Sequence, residues 1–324
     1  MGKTAMTETA FEAQDSLMNT TVEQRLFGPA AQAAYQSSLE SLRALESLLS
    51  FYQKASEVSL INRNAGKAPV RVSRETMQVL EEAQRIAALS RGAFSIMLAP
   101  LIQLWRKAGI SDVLPTPREI DRAKALCKRE NLILDAAGYT AFLTQKGSLL
   151  DLGGIAKGFA ADSCCELYND KGVTSAFINL GGNVKTLGSR PDGTSWTVGL
   201  QHPDRPRGNC FAALECSNHS VVSAGAYERY KDIQGARYHH ILDGRTGMPA
   251  ESGLKSVTVT AASSLQADAL STAAFVLGLE EGIELIYRSE ATGAVFMTEA
   301  DEVYVTKGIK PQLKLLEPLP CYQV

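Results

Sequence analysis

Between Pro29 and Tyr52, apolar residues return every three or four positions (Leu39, Leu42, Leu45, Leu48, Leu49), which predicts a long helix with one face in the core. Ser73 followed by Glu75 marks the start of a second helix, which should stop before Gly92, where a residue without Cβ lets the chain turn. Thr116-Pro117-Arg118-Glu119 combines capping-box spacing with proline at the first helical position and announces a third. After Asn131 the period shortens. Apolar and β-branched runs at Leu132–Leu134, Tyr139–Leu143 and Leu149–Leu152 predict an antiparallel meander. Further strands are expected at Ser175–Asn179, Trp196–Gln201, Phe211–Cys216 and Val257–Ala261, with helices over Ile155–Asn169 and Ser264–Leu277. Gly293–Phe296 and Glu302–Thr306 read as a closing hairpin. Strands and helices mix without regular βαβ alternation, so the expected class is α+β, with mixed, mostly antiparallel sheets and packed helices.

Composition narrows the function classes. The 324 residues are 45% hydrophobic and 21% charged with a formal net charge of -2, as in an ordinary soluble globular protein. The two signs are interspersed, so no basic block exists to release phosphate counterions, and nucleic acid is not an expected partner. No run approaches the roughly 18 apolar residues needed to cross a bilayer, so no membrane partner is expected. The opening MGKTAMTETAFEAQDS lacks a signal-peptide core, which predicts a flexible cytoplasmic start over residues 1–17 and a single domain of two packed halves over 18–324. Cys127, Cys164, Cys165, Cys210, Cys216 and Cys321 show no CxxC spacing and are expected to be reduced and structural.

Three stretches carry candidate chemistry. Asp151-Leu152-Gly153-Gly154-Ile155-Ala156-Lys157-Gly158 and Asn179-Leu180-Gly181-Gly182-Asn183 pair glycines after strand-like runs. Such turns let backbone approach a phosphate closely, and the first opens a helix whose amides favour an anion, with Lys157 to add charge. Neither is a Walker A or dinucleotide fingerprint, and each is equally readable as a structural corner. In the helix from Ser264, Asp268 and Thr272 share a face with Ser271 beside them, among small and apolar residues. A buried carboxylate demands a cation or donors, and Asp, a hydroxyl and a backbone carbonyl suit Mg²⁺ when phosphates complete its shell. The alternative is a first-turn charge facing the helix dipole. In His239-His240-Ile241-Leu242-Asp243, a histidine with an aspartate three residues on is either an oriented base or a satisfied structural group.

In order along the chain, Met18-Asn19-Thr20, Ser56–Asn62, Gly92–Ser95, Pro100-Leu101, Leu104-Trp105, DLGGIAKGFAAD from Asp151, INLGGN from Ile178, SAGAYERY from Ser223, HHILDGRTG from His239 and ADALSTAAFVLG from Ala267 resemble the FAD:protein FMN transferase (ApbE) family over Met18 to Thr306. The resemblance implies an ApbE-like, T-fold-like architecture with FAD, the substrate, between the two halves. It implies that Met18, Tyr52, Ala93, Phe94, Ser95, Asp151, Lys157 and Leu242 line the FAD site. The Gly154 carbonyl, Asp268, Ser271 and Thr272 would surround Mg²⁺, and His240 or Asp268 would be the general base. The implied partner is a flavoprotein whose acceptor motif approximates Asp-x-x-Ser/Thr-Gly-Ala-Thr/Ser; here Thr292-Gly293-Ala294-Val295 has valine at the acceptor position, so the chain should modify others. Asn19, Ser95, Ala226 and Gly244 depart from the family pattern, and the missing carboxylate at 95 should weaken nucleotide grip by about 1 to 3 kcal/mol. The alternatives are a Mg²⁺-dependent hydrolase giving FMN and AMP, and a non-catalytic FAD-binding protein.

Overall fold

A computed structural model describes residues 10–324. A nine-stranded sheet runs through it in the spatial order Ala10–Leu17, Thr20–Phe27, Ala176–Leu180, Asn183–Leu187, Ser220–Gly225, Leu254–Ala261, Gly293–Thr298, Val303–Val305, Cys321–Gln323. Every neighbouring pair is antiparallel except the last, where Val303–Val305 and Cys321–Gln323 run parallel. The expected α+β class with mostly antiparallel sheets holds.

Both faces of this sheet are covered, and strand alternation decides which side chain serves which. In Gly293–Thr298, Ala294 and Phe296 join the larger core under the helices, whereas Val295 and Met297 join a second core on the opposite face. The helical face carries Ala31–Leu49, Ala156–Asp170 and Ser264–Leu277. The opposite face carries a three-stranded sheet of Trp196–Gln201, Cys210–Cys216 and Leu313–Leu315, with Trp196 packed on Phe27 and Phe177. A third sheet joins Val70–Arg71, Thr140–Leu143 and Leu132–Asp135.

The local signals work as chemistry requires. Ser73 accepts from the Thr76 amide at the head of Arg74–Leu89, and Gly92 beyond its end sits at φ +85°. Thr116 and Glu119 complete a reciprocal capping box ahead of Pro117–Leu126. The Ala31–Leu49 helix buries Leu39, Leu42, Leu45 and Leu49 as its period predicts.

Two expectations need correction. The flexible start expected over residues 1–17 does not extend to Ala10–Leu17, which is a strand paired residue for residue with Thr20–Phe27; residues 1–9 lie outside the described residues. Its inward positions include Phe11, tilted against Tyr35 with ring centroids 4.8 Å apart, and Asp15, which accepts from the Tyr35 hydroxyl at 2.8 Å. An inward acid hides the alternation from a reading by hydropathy. The strand expected at Leu149–Leu152 joins no ladder. There the Asn62 side chain takes the place of a neighbouring strand, donating to the Leu150 carbonyl at 2.9 Å and accepting from the Leu150 amide at 2.8 Å.

Candidate active site

The helices Ala156–Asp170 and Ser264–Leu277 cross so closely that a Cβ on Gly158 would lie 2.2 Å from the Ser264 carbonyl oxygen. Only glycine fits, because the obstacle is backbone. This contact brings the first glycine turn against the acidic face of the second helix. Asp268, 5% exposed, accepts from the Gly158 amide through Oδ2 at 3.0 Å. Lys157 Nζ lies 3.7 Å from the same oxygen and donates to the Gly153 carbonyl at 3.0 Å.

Thr272 lies across from Gly154: a Cβ there would sit 3.9 Å from Thr272 Oγ1 and 3.5 Å from the Phe94 ring. Ser271 is buried and donates to the Asp268 carbonyl at 2.9 Å, while the equivalent Thr272 bond is loose at 3.5 Å. Among the described residues no three His, Cys, Asp or Glu side chains form a ready-made metal cage. The donors present still suit Mg²⁺, which takes one or two carboxylates and leaves the rest of its shell to phosphates and water. One amide and one distant ammonium leave most of the Asp268 acceptor capacity unspent, which fits a cation at that position.

Asp151 anchors the turn from the other side. Its amide donates to the Ile96 carbonyl at 2.8 Å, and its carboxylate accepts from the Gly153 amide at 2.9 Å. Burial raises its pKa, against the opposing effects of that amide and of Lys157. The Ile96 link ties the glycine turn to Ala93, Phe94 and Ser95. Ala93 and Phe94 are buried; Ser95 is partly open, accepts from the Met97 amide at 3.1 Å and lines a cleft of about 460 Å³ with Leu98, Lys124, Lys128, Arg129 and Arg245.

His240 follows the Tyr230–Ile233 and Ala236–His239 hairpin, its Nδ1 3.0 Å from the Arg229 carbonyl. The residue keeps an exposed face, yet the chain around its ring lowers its pKa to about 4, and the positive charges of Arg229, His239 and Lys157 push the same way. Its imidazole is therefore neutral at pH 7. Asp243 holds Arg245 through contacts of 2.9 to 3.1 Å, and Trp105 donates to the Gly247 carbonyl at 2.9 Å, which fixes the loop after His240.

The remaining expected site residues make contacts of their own. Met18 and Asn19 form a two-residue hairpin turn at φ 53° and 57°, a conformation that asparagine tolerates better than most residues. Thr20 beside them is pressed against Gly181, where a Cβ would meet its Oγ1 at 1.9 Å. Tyr52 is 63% exposed, edge-on to Phe51, with the Arg106 guanidinium 5.9 Å above its ring. Leu242 is buried in a small apolar cluster with Leu98 and Trp105. No hydrogen bond or ion pair joins Met18, Tyr52 or Leu242 to the Asp268 group. Asn62 and Asp162 bind partners about 90 to 100 positions away, which no local signal in the sequence announces.

A buried carboxylate, a nearby hydroxyl, a glycine turn and a lysine are brought together here, groups able to receive a cation and phosphates. A sequence model described as the ApbE family matches residues 18–296. Among similar proteins, the FAD:protein FMN transferase of Klebsiella pneumoniae (strain 342) is 37% identical over 284 residues, 87% of each chain. That of Treponema pallidum (strain Nichols) is 34% identical, with 89% of this chain and 84% of its own covered. The crystal structure of the ApbE protein from Thermotoga maritima superposes with a TM-score of 0.86 at 28% identity, covering 94% of this chain and 99% of that one. The flavin transferase ApbE from Vibrio cholerae gives 0.84 at 26% identity, with the same coverage. The chain belongs to the ApbE family.

Proposed function

We propose that the chain is a Mg²⁺-dependent FAD:protein FMN transferase, which moves FMN from FAD to a Ser or Thr hydroxyl of a partner flavoprotein and releases AMP. The observation that carries this reading is the buried Asp268 carboxylate beside Lys157, with Thr272 one turn on facing Gly154, in a chain of this family. FAD lies in the cleft between the two halves of the domain, lined by Met18, Tyr52, Ala93, Phe94, Ser95, Asp151, Lys157 and Leu242. The Gly154 carbonyl, Asp268, Thr272 and Ser271 hold Mg²⁺, which when bound neutralises charge on the pyrophosphate.

Lys157, fixed by the Gly153 carbonyl, points a positive charge at the same phosphates. The acceptor hydroxyl attacks the FMN-side phosphorus, a new P–O bond forms, and the P–O bond to AMP breaks. His240, neutral at pH 7, takes the hydroxyl proton; Asp268 is the other candidate, and its contacts with Gly158 and Lys157 favour a holding role. The partner carries an acceptor motif of the Asp-x-x-Ser/Thr-Gly-Ala-Thr/Ser type. Among the described residues no helix is long and apolar enough to cross a membrane. Six unpaired cysteines support a reducing, cytoplasmic setting.

Incubation with FAD, Mg²⁺ and a domain bearing the motif should leave an acid-stable fluorescent band on the acceptor and equimolar AMP. AMP release that an acceptor neither speeds nor diverts would instead define a hydrolase. Tight FAD binding with no cleavage would define a storage protein.

A further inference from the structure

The two crossing helices cap one another. The Gly158 amide, in the first turn of Ala156–Asp170, donates to Asp268 on Ser264–Leu277. In return Asp162, four residues after Gly158, takes the first turn of the Asp268 helix: Ser264 N donates to Oδ1 at 2.8 Å, Leu265 N to Oδ2 at 2.9 Å, and Ser263 Oγ to Oδ2 at 2.9 Å. Asp268 likewise stands four residues after Ser264. Each helix thus sends the carboxylate one turn inside it to the positive end of the other, where amides and dipole favour an anion. The pivot is the Gly158 and Ser264 backbone contact.

Asp162 is itself fixed. Lys185, on the Asn183–Leu187 strand, contacts Oδ1 and also donates to the Ala262 carbonyl at 2.8 Å. Ser264 Oγ donates to Asn183 Oδ1 at 2.7 Å. The remaining first-turn amides are met by Ser263, whose Oγ accepts from Gln266 N at 3.3 Å and whose carbonyl accepts from Ala267 N at 3.1 Å. So the start of the Asp268 helix is tied to the sheet and to the helix that opens from the glycine turn.

We infer that Asp162 is a positioning residue that sets the register of the Asp268 helix against the Gly154 turn, and so tunes the affinity of the cation site without touching the cation. A slip of one residue along a helix is about 1.5 Å, far more than the roughly 0.1 Å range of Mg²⁺–oxygen distances around 2.0 to 2.1 Å. The inference rests on the proposed metal site and deepens it.

The test uses the full chain and Mn²⁺ as a paramagnetic probe, with free Mn²⁺ followed by electron paramagnetic resonance, alongside the Mg²⁺ midpoint for AMP release. Asp162→Asn keeps the size but removes the charge that faces two amides and Lys185. It should weaken Mn²⁺ binding about 3- to 10-fold and raise the Mg²⁺ midpoint equally, while kcat at saturating Mg²⁺ stays within about threefold. Asp162→Glu, which keeps the charge, should recover part of the affinity. The double variant Asp162→Asn, Lys185→Met removes the orphaned cation and should restore melting temperature but not Mn²⁺ affinity. A folded Asp162→Asn with unchanged Mn²⁺ affinity and only a lower melting temperature would reduce Asp162 to a structural cap and overturn the inference. Equal Mn²⁺ binding by wild type and Asp268→Ala would overturn the metal site itself, an outcome separable from the first because it does not involve Asp162.

Discussion

Around Asp268 the polar groups are met by partners from distant parts of the chain, whereas around Ser95 they face solvent with few fixed partners. The Gly158 amide, Lys157 and the reciprocal cap from Asp162 hold the Asp268 end in one arrangement. The Ser95 end is a cleft edged by Lys124, Lys128 and Arg129, none of them in an ion pair among the described residues, and by Arg245, which Asp243 holds; Asp121 is the one acid in its lining. A site that must place a cation within tenths of an ångström needs the first kind of construction. A site that only holds the remote part of a nucleotide works with the second, since exposed charges adjust and are screened. Sensitivity to substitution should therefore fall steeply from one end to the other.

The steepest loss belongs to Asp268→Ala, which should cut Mg²⁺-dependent AMP release by about 10³-fold or more, roughly 4 kcal/mol of transition-state stabilisation, with circular dichroism unchanged. Next comes Gly158→Ala. Its Cβ would enter backbone space 2.2 Å from the Ser264 oxygen, and overpacking of this kind should cost about 2 to 3 kcal/mol, seen as a melting temperature roughly 5 to 10 °C lower with weaker Mg²⁺ activation.

His240 gives a smaller, pH-dependent effect. Its pKa falls to about 4 in the fold from 6.5, so between those values the unfolded chain binds more protons and stability declines as pH drops. Below about pH 4 both states are protonated and the decline stops. Melting curves of wild type and His240→Gln should diverge over that window and run parallel above pH 7. The acid limb of kcat/KM should lie near pH 4 for wild type, not near 6.5. At the bottom of the scale, Ser95→Ala should raise KM for FAD no more than about threefold with kcat intact. A tenfold fall in kcat there would erase the contrast between the two ends.

What could be read from the sequence follows the range of the forces involved. The capping box at Thr116 and Glu119 is a contact three residues long, and the chain announces it directly. Asp268 was visible because a lone acid in an almost wholly apolar helix breaks the pattern around it. The strand Ala10–Leu17 was not, since Asp15 points inward to Tyr35 and Glu12 pairs with Arg25 on the outer face, so both faces of the strand carry acids. The irregular stretch around Leu150 looked like a strand because its residues are apolar; the missing neighbour is a single side chain, Asn62, 88 positions earlier. Asp162 gave no signal because its amide partners lie more than 100 positions on.

The central claim is that this chain transfers FMN with the help of a cation held at Asp268. Intact-mass spectrometry of an acceptor domain after reaction with FAD tests it most directly, run with wild type, with wild type in chelator, and with Asp268→Ala. The account predicts the mass of one FMN phosphoester added by wild type with Mg²⁺, on the Ser or Thr of the motif, and no addition in the other two. An unmodified acceptor beside complete conversion of FAD to FMN and AMP, or full labelling by Asp268→Ala, would contradict it.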